Sequence, residues 1–427
     1  MTPFGFIKIT CAIGVVLALN QGLCAQVLET TPETTSETTP GPILETRPEN
    51  GTPIAASIET NSIFRPPRGM TLSISIVNGY DDNVNASSTG GSASSTGGTS
   101  SSLYTNGNAA LSYTFGTPRT LLSLTTGGGA TYYFDQATDH INAYFGLSLT
   151  HKQTARLTLS LLAFASYQTE PDLSTNLGSS QQLGSFLHST DTASVSYSWM
   201  PRFSTVTSYT LGILKYYSSA GSLQNRMEHT FGQQFRYLLW PTTTGAGEYR
   251  YEIINYDTAP LDSTTHFLLA GLDHTFTPRL NATFRGGVEL RSSENNGDQA
   301  SPYFESNLNY TFGRAGSVVW MNHYSIEEAD VSGASSSPAF RTGLIGSYGF
   351  TPRFSGSLAL NYIHRSNGSG GSSSSTQDTF DIAPSLRYVI TRRLSANLGY
   401  HYTKVNSGST AGSYSRNQYF AGLNYRF

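Results

Sequence analysis

From Met70 to the last residue, apolar and polar side chains alternate in one short stretch after another. Between Leu280 and Arg291, one row is Leu280, Ala282, Phe284, Gly286, Val288 and Leu290, and the other is Asn281, Thr283, Arg285, Gly287, Glu289 and Arg291. Over 379–390, Phe380, Ile382, Pro384, Leu386, Tyr388 and Ile390 alternate with Thr379, Asp381, Ala383, Ser385, Arg387 and Val389. The chain ends in the same way, with Tyr419, Ala421, Leu423, Tyr425 and Phe427 interleaved with Gln418, Gly422, Asn424 and Arg426. A period of two is the geometry of a strand, whose successive side chains point to opposite faces. The alternation predicts strands over 70–78, 103–115, 120–133, 140–149, 156–167, 190–199, 204–217, 226–239, 243–255, 264–276, 281–291, 303–312, 318–326, 339–350, 355–364, 378–390, 395–403 and 416–427. That is about 18 strands; 16 is the alternative, because the pattern is weakest in 168–190 and in the first strand.

The breaks between strands are of two kinds. Tight ones occur at Thr117-Pro118-Arg119, Met200-Pro201-Arg202, Trp240-Pro241-Thr242, Thr277-Pro278-Arg279, Thr351-Pro352-Arg353 and Thr391-Arg392-Arg393, with counterparts near His151-Lys152-Gln153 and Gly313-Arg314-Ala315-Gly316. Proline presets φ for a turn and cannot donate to a ladder, so a turn is where it fits. Longer Ser/Gly/Asn-rich loops are expected at 81–101, 168–185, 218–224, 292–301, 327–337, 365–377 and 404–415. The tight turns recur about every 40 residues, a spacing that also suits a β-propeller. Each unit, however, holds two strands of membrane-crossing length and not four short ones. Short turns on one rim and long loops on the other are the asymmetry of a transmembrane barrel. An even strand count places both termini on the short-turn side.

Composition narrows the class. Charged residues make up 12% of the chain, against about 25% in soluble domains. Hydrophobic residues are nevertheless only 37%, and the mean hydropathy is −0.26. Ser, Thr, Gly, Asn and Tyr replace the missing charge, as expected where apolar lipid-facing positions alternate with polar lumen-facing ones. The 26 Tyr and 22 Phe are enough to furnish interfacial girdles. The fold class expected is therefore all-β, a transmembrane antiparallel up-and-down β-barrel. A net charge of −3 argues against a nucleic-acid partner.

Three segments are expected. Residues 1–25 read as a secretory signal peptide, with Lys8, an apolar run over 9–19 and a cleavage site after Ala25. The run is too short for a membrane-spanning helix. Lipidation at Cys24 fits poorly after Gln21-Gly22-Leu23. Residues 26–69, rich in Thr, Pro and Glu, read as a disordered leader too short to be a plug domain. Residues 70–427 form the barrel. Cys11 and Cys24 both lie in the segment to be removed, so the mature chain has no disulfide, cysteine nucleophile or thiolate metal site.

Charge on the lipid face costs about 2–4 kcal/mol for Arg or Lys near the midplane, so charged rows are expected to face the lumen. They concentrate in one arc: Arg226, Glu228 and Arg236, then Glu248, Arg250 and Glu252, then Asp273, then Arg285, Glu289 and Arg291, then Glu305. A turn centred near Pro241-Thr242 places Arg236 roughly opposite Glu248. Two readings stay open: a charged constriction that selects solutes, or an ion-pair network that braces the wall. The arginines after the turn prolines are expected to snorkel to lipid phosphates. Pro384, on a lipid row, suggests a bulge. For hydrolase chemistry, Asp139-His140, Asp273-His274 and His323 are the candidates, scattered and without a nucleophile arrangement. No metal site is expected; a calcium site near Glu327-Glu328-Asp330 is weighed against a solvated acidic patch. No cofactor motif is present, since the glycine-rich loops lack a phosphate-binding pattern.

The repeated Thr-Pro-Arg-Leu/Phe-Ser hairpins and the terminal Tyr425-Arg426-Phe427 resemble the β-barrel porin families of Gram-negative bacteria, including barrels found beside exopolysaccharide export genes. The resemblance covers about 70–427. It implies a bacterial outer-membrane location among outer-membrane lipids. It also implies a terminal strand (Tyr419, Leu423, Tyr425, Phe427) read by the barrel assembly machinery. For function it implies a channel for passive or weakly selective diffusion of small hydrophilic solutes. Polysaccharide export, surface adhesion and an outer-membrane hydrolase are the alternatives. The motifs carry no catalytic residue to transfer.

Overall fold

The structure, a computed structural model, describes residues 69–86, 101–135, 140–169, 185–218, 221–294, 297–313, 315–328, 336–369, 372–408 and 413–427. The expected signal peptide and nearly all of the leader lie outside the described residues. Eighteen strands follow one another: β1 (Met70–Asp81), β2 (Ser102–Gly116), β3 (Thr120–Tyr133), β4 (His140–Lys152), β5 (Leu157–Gln168), β6 (Phe186–Met200), β7 (Phe203–Tyr216), β8 (Arg226–Trp240) and β9 (Thr243–Tyr256) make the first half. The second half comprises β10 (Ser263–Thr277), β11 (Leu280–Ser293), β12 (Gly297–Phe312), β13 (Gly316–Glu327), β14 (Ser337–Gly349), β15 (Phe354–Ser369), β16 (Ser372–Val389), β17 (Leu394–Ser407) and β18 (Tyr414–Arg426). Each strand pairs antiparallel with its sequence neighbours, and β1 also pairs with β18, from Ser73↔Arg426 to Asp81↔Gln418. The sheet therefore closes with no free edge, as a structure must when its backbone polar groups face hydrocarbon.

The alternation decides which side chains point out. Ile74, Ile76, Leu272, Phe284, Leu398, Leu423 and Phe427 are all exposed, on the outer wall. Aromatic pairs edge that wall at the short-turn rim, including Tyr197 with Trp199 and Phe312 with Tyr348, whose ring centroids lie 4.7 and 5.6 Å apart. Short turns of two to four residues join β2–β3, β4–β5, β6–β7 and so on to β16–β17, all on one rim. In four of them Thr117, Thr154, Thr351 and Thr391 accept the backbone N–H three residues on, at 2.9–3.0 Å, tying the turn.

Four details depart from expectation. The supposed loops at 292–301 and 365–377 are largely strand, since β11 runs to Ser293, β12 starts at Gly297, β15 runs to Ser369 and β16 starts at Ser372. Ladder hydrogen bonds continue there without an apolar row to mark them. Likewise β6 begins at Phe186, ahead of the expected 190. Pro384 is not a bulge: the pairing of β16 with β17 lapses at Ala383 and Pro384 but resumes in the same register. Finally, Arg236 lies opposite Ala246, and Glu248 opposite Gln234, because an irregularity between Leu238 and Trp240 shifts the β8–β9 register.

At the long-loop rim, chain segments turn into the barrel. The residues after β1 bury Val84 against Tyr104 and Tyr133, and Ala86 against Val405 and Tyr414. The Asp82 N–H donates to the Asn417 carbonyl at 3.1 Å, fastening this segment across the β1–β18 closure. Beneath it Arg416 clasps the fully buried Asp81, with Nε at 2.9 Å from Oδ2.

Candidate functional site: an ion-paired wall inside the barrel

The expected arc of charge exists, and strand periodicity assembles it. Residues two apart share a face, which sets Arg226 Nε 2.9 Å from Glu228 Oε1 and couples Arg250 to Glu248 along a single strand. The longer links jump strands. Arg250 on β9 forks onto Glu305 on β12, at 2.9 and 3.3 Å, and donates to Tyr303 Oη at 2.9 Å. Arg236 on β8 reaches Asp273 on β10 at 2.9 Å, and Arg285 on β11 reaches the other oxygen of Asp273 at 2.7 Å. Side chains on the outside of a cylinder diverge. Only inward-pointing ones converge closely enough for strands two and three places apart to touch, so the whole row faces the interior.

Glu248 sits at the centre of this network, accepting from Gln234 Nε2 at 2.9 Å with Arg285 Nε at 3.8 Å. Glu252 continues the row and accepts from Thr230 Oγ1 at 3.3 Å.

Towards the long-loop rim the network gains members that alternation alone does not place. β13 pairs with β12 only as far as Tyr324↔Phe304, although both strands run on. Beyond that point the end of β13 and the following Glu328 leave β12 and lie over the inner face of β11. Glu289, completely buried, accepts the Ile326 N–H at 2.6 Å. Glu328 takes an ion pair from Arg291 and a 2.6 Å hydrogen bond from Tyr256 Oη on β9. Its carbonyl accepts from Arg365 Nη1 at 2.9 Å. Tyr256 in turn lies under the Arg226 guanidinium, 5.8 Å from ring centroid to Cζ. Glu327 receives Arg341, Arg365 at 3.4 Å and His323 at 3.5 Å.

All eleven residues expected in the arc are thus on one inner wall. The sequence reading missed Tyr256, Tyr303, Glu327, Glu328, Arg341 and Arg365 as members. The tyrosines are aromatic positions on polar rows, a signal that was there to be read. Glu328 falls on the outer row by parity and enters only because the end of β13 bends inward. Glu327 and Glu328 are accordingly not a solvated acidic patch: each is engaged by arginine. Asp330 lies outside the described residues, and among those described no three ligand-type side chains cluster for a metal.

In charge, the wall nearly cancels itself. Seven arginines (226, 236, 250, 285, 291, 341 and 365) face eight carboxylates (Glu228, Glu248, Glu252, Asp273, Glu289, Glu305, Glu327 and Glu328). Of the two readings left open by the sequence, the geometry has the form of a mutually paired network. Among the described residues it shows no ring of one sign.

The candidate histidines for hydrolysis are dispersed. His140 packs edge-on against Tyr133 at 5.1 Å, His274 points outward onto Thr243 Oγ1 at 2.7 Å, and His323 belongs to the Glu327 cluster. Asp139 lies outside the described residues.

Comparison with known proteins adds the following. The model of a family described as "Putative beta-barrel porin 2" matches residues 71–427. No curated protein matches the sequence. Among solved structures, the chain is similar to Acinetobacter baumannii OccAB4, with 12% identity, a TM-score of 0.41, and coverage of 84% of this chain and 98% of that one. It is similar also to the outer-membrane protein OpdK of Pseudomonas aeruginosa, with 10% identity, a TM-score of 0.42 and coverage of 84% and 98%. The siderophore receptor PirA of Pseudomonas aeruginosa matches at 11% identity with a TM-score of 0.36, covering 85% and 81%. These likenesses concern architecture alone.

Proposed function

This chain belongs to that β-barrel porin family, and from that premise we propose that it is an outer-membrane channel through which small hydrophilic solutes diffuse passively. A barrel of this strand number encloses an aqueous lumen, and the observation that carries the proposal is the largely polar inner face of a closed 18-stranded sheet. The long loops would face the cell exterior and the short turns the periplasm. The arginines of those turns would meet lipid phosphates, and the terminal strand would meet the assembly machinery. No catalytic step is needed for this activity.

The paired wall bears on selectivity. Rings of one sign favour permeant ions of the other. Here each arginine of the wall lies against carboxylate, so little net field reaches the pore. The channel is expected to pass cations and anions almost equally.

Single-channel recording from the refolded mature chain, in a planar bilayer under a salt gradient, tests both statements. Steady conductance with a reversal potential near zero is the expected result. A folded barrel that carries no current would overturn the channel reading. A strongly displaced reversal potential would overturn the account of the wall.

A further inference from the structure

The lumen has a second wall of different chemistry. Along β2 to β7 the inward-pointing row carries no Lys, Arg, Asp or Glu among the described residues, apart from Lys152 at the short-turn edge. Hydroxyl and amide groups take their place. Asn106 Nδ2 donates to Thr131 Oγ1 at 2.7 Å, and Thr192 and Thr210 share a 2.9 Å hydrogen bond. In a ring of eighteen strands, β11 to β15 stand opposite β2 to β6. Much of the ion-paired wall therefore looks across the lumen at an uncharged one.

The middle of the uncharged wall is also low. Gly129 lies opposite Asn142 in the β3–β4 ladder, and Gly127 lies opposite Tyr144. Both side chains thus stand beside bare backbone, the situation glycine creates where something must approach a strand closely. Asn142 Oδ1 and Tyr144 Oη have no hydrogen-bond partner among the described residues. Turning either towards the lumen sacrifices no protein hydrogen bond, and an unsatisfied polar atom gains from meeting a donor or acceptor.

We infer that this wall is a contact surface for uncharged, polyhydroxylated solutes of the saccharide type, which the channel conducts in preference to ions of similar size. The inference rests on the channel reading above and names its solute class. A polyol entering the lumen exchanges hydrogen bonds to water for hydrogen bonds to Asn106, Asn142, Tyr144, Thr192 and Thr210 at little net cost. An organic ion of the same size gives up hydration and meets no counter-charge on this side. On the other side every arginine it meets already lies against a carboxylate.

The test measures single-channel current of the mature chain with increasing maltotriose. The controls are trigalacturonate (anionic), chitosan trimer (cationic) and a polyethylene glycol of matching radius. Maltotriose is expected to reduce the current saturably, and the controls only in proportion to concentration. The Asn142→Ala/Thr192→Val double variant should raise the half-saturating maltotriose concentration about tenfold, the effect of losing one to two hydrogen bonds. Thr192→Val alone should give a smaller rise in the same direction if the double variant fails to fold. Ion current without a saturable maltotriose response overturns the inference and leaves the channel standing, as does tighter binding of either charged trimer. Saturation unchanged in the variants overturns the assignment to this wall. Absence of ion current from the folded barrel overturns the channel reading itself, and the inference with it.

Discussion

Arg285 shows what a single side chain does in this wall. Its side chain is only 5% exposed, and it holds Asp273 at 2.7 Å with Glu248 nearby. Removing one partner of a buried ion pair leaves a charge without compensation, which costs about 3–5 kcal/mol. Arg285→Ala is therefore expected to lower barrel stability by about that amount in denaturant unfolding. Because the variant leaves the wall more negative, its reversal potential should move towards cation preference. Arg285→Lys should recover charge but not the planar fork that lets one guanidinium address two carboxylates. It should restore the reversal potential more fully than the stability.

Among the described elements, the end of β13 moves away from the regular wall. It is held by Glu289 beneath the Ile326 N–H and by Glu328 between Arg291 and Tyr256. A lipid-facing strand has no reason to bend inward, but above the hydrocarbon region an inward bend gives carboxylates the arginine partners they lack outside. Glu328→Gln preserves a hydrogen-bond acceptor for Tyr256 and abolishes the ion pair to Arg291. The expected outcome is a looser strand end: open-channel current noise should rise, while the temperature of barrel unfolding changes little. Quiet current indistinguishable from wild type would mean that the strand end is held without Glu328. The same element shows how far a sequence pattern reaches. Alternation marks Val318 to Ile326 as a strand, and the structure agrees over Gly316–Glu327. Nothing in the pattern says that the strand parts from β12 after Tyr324, because that choice depends on side chains of β9 and β11 that are distant in sequence.

At the scale of the whole molecule, closure is the decisive event. β1 and β18 pair over nine residues, and the Phe427 N–H donates to the Leu72 carbonyl at 2.9 Å, at the very end of the seam. Phe427 itself points outward, its ring 4.8 Å from that of Tyr425. If the terminal aromatic row serves recognition by assembly machinery, deleting Phe427 should sharply reduce the amount of folded barrel in cells, scored by heat-modifiable gel mobility. Refolding of the same variant from urea into detergent should be nearly normal. Equal losses in both settings would assign Phe427 to the stability of the seam and not to recognition.

The sequence by itself determined the architecture: an antiparallel barrel of about 18 strands, with 16 still open, which row faces lipid, the two kinds of connection and the wall on which charge collects. It could do so because period-two alternation and turn chemistry are local, and because hydrocarbon on one side penalises any other assignment of faces. Only the tertiary structure decided who pairs with whom. The β8–β9 register sets Arg236 opposite Ala246 while its guanidinium pairs with Asp273 two strands away, and the inward bend at the end of β13 carries Glu328 from an outer row into the lumen. Polar ladders at 292–301 and 365–377 likewise became strand without an apolar row to announce them. These outcomes depend on barrel curvature and on contacts between strands two or more places apart. A one-dimensional pattern has no term for either.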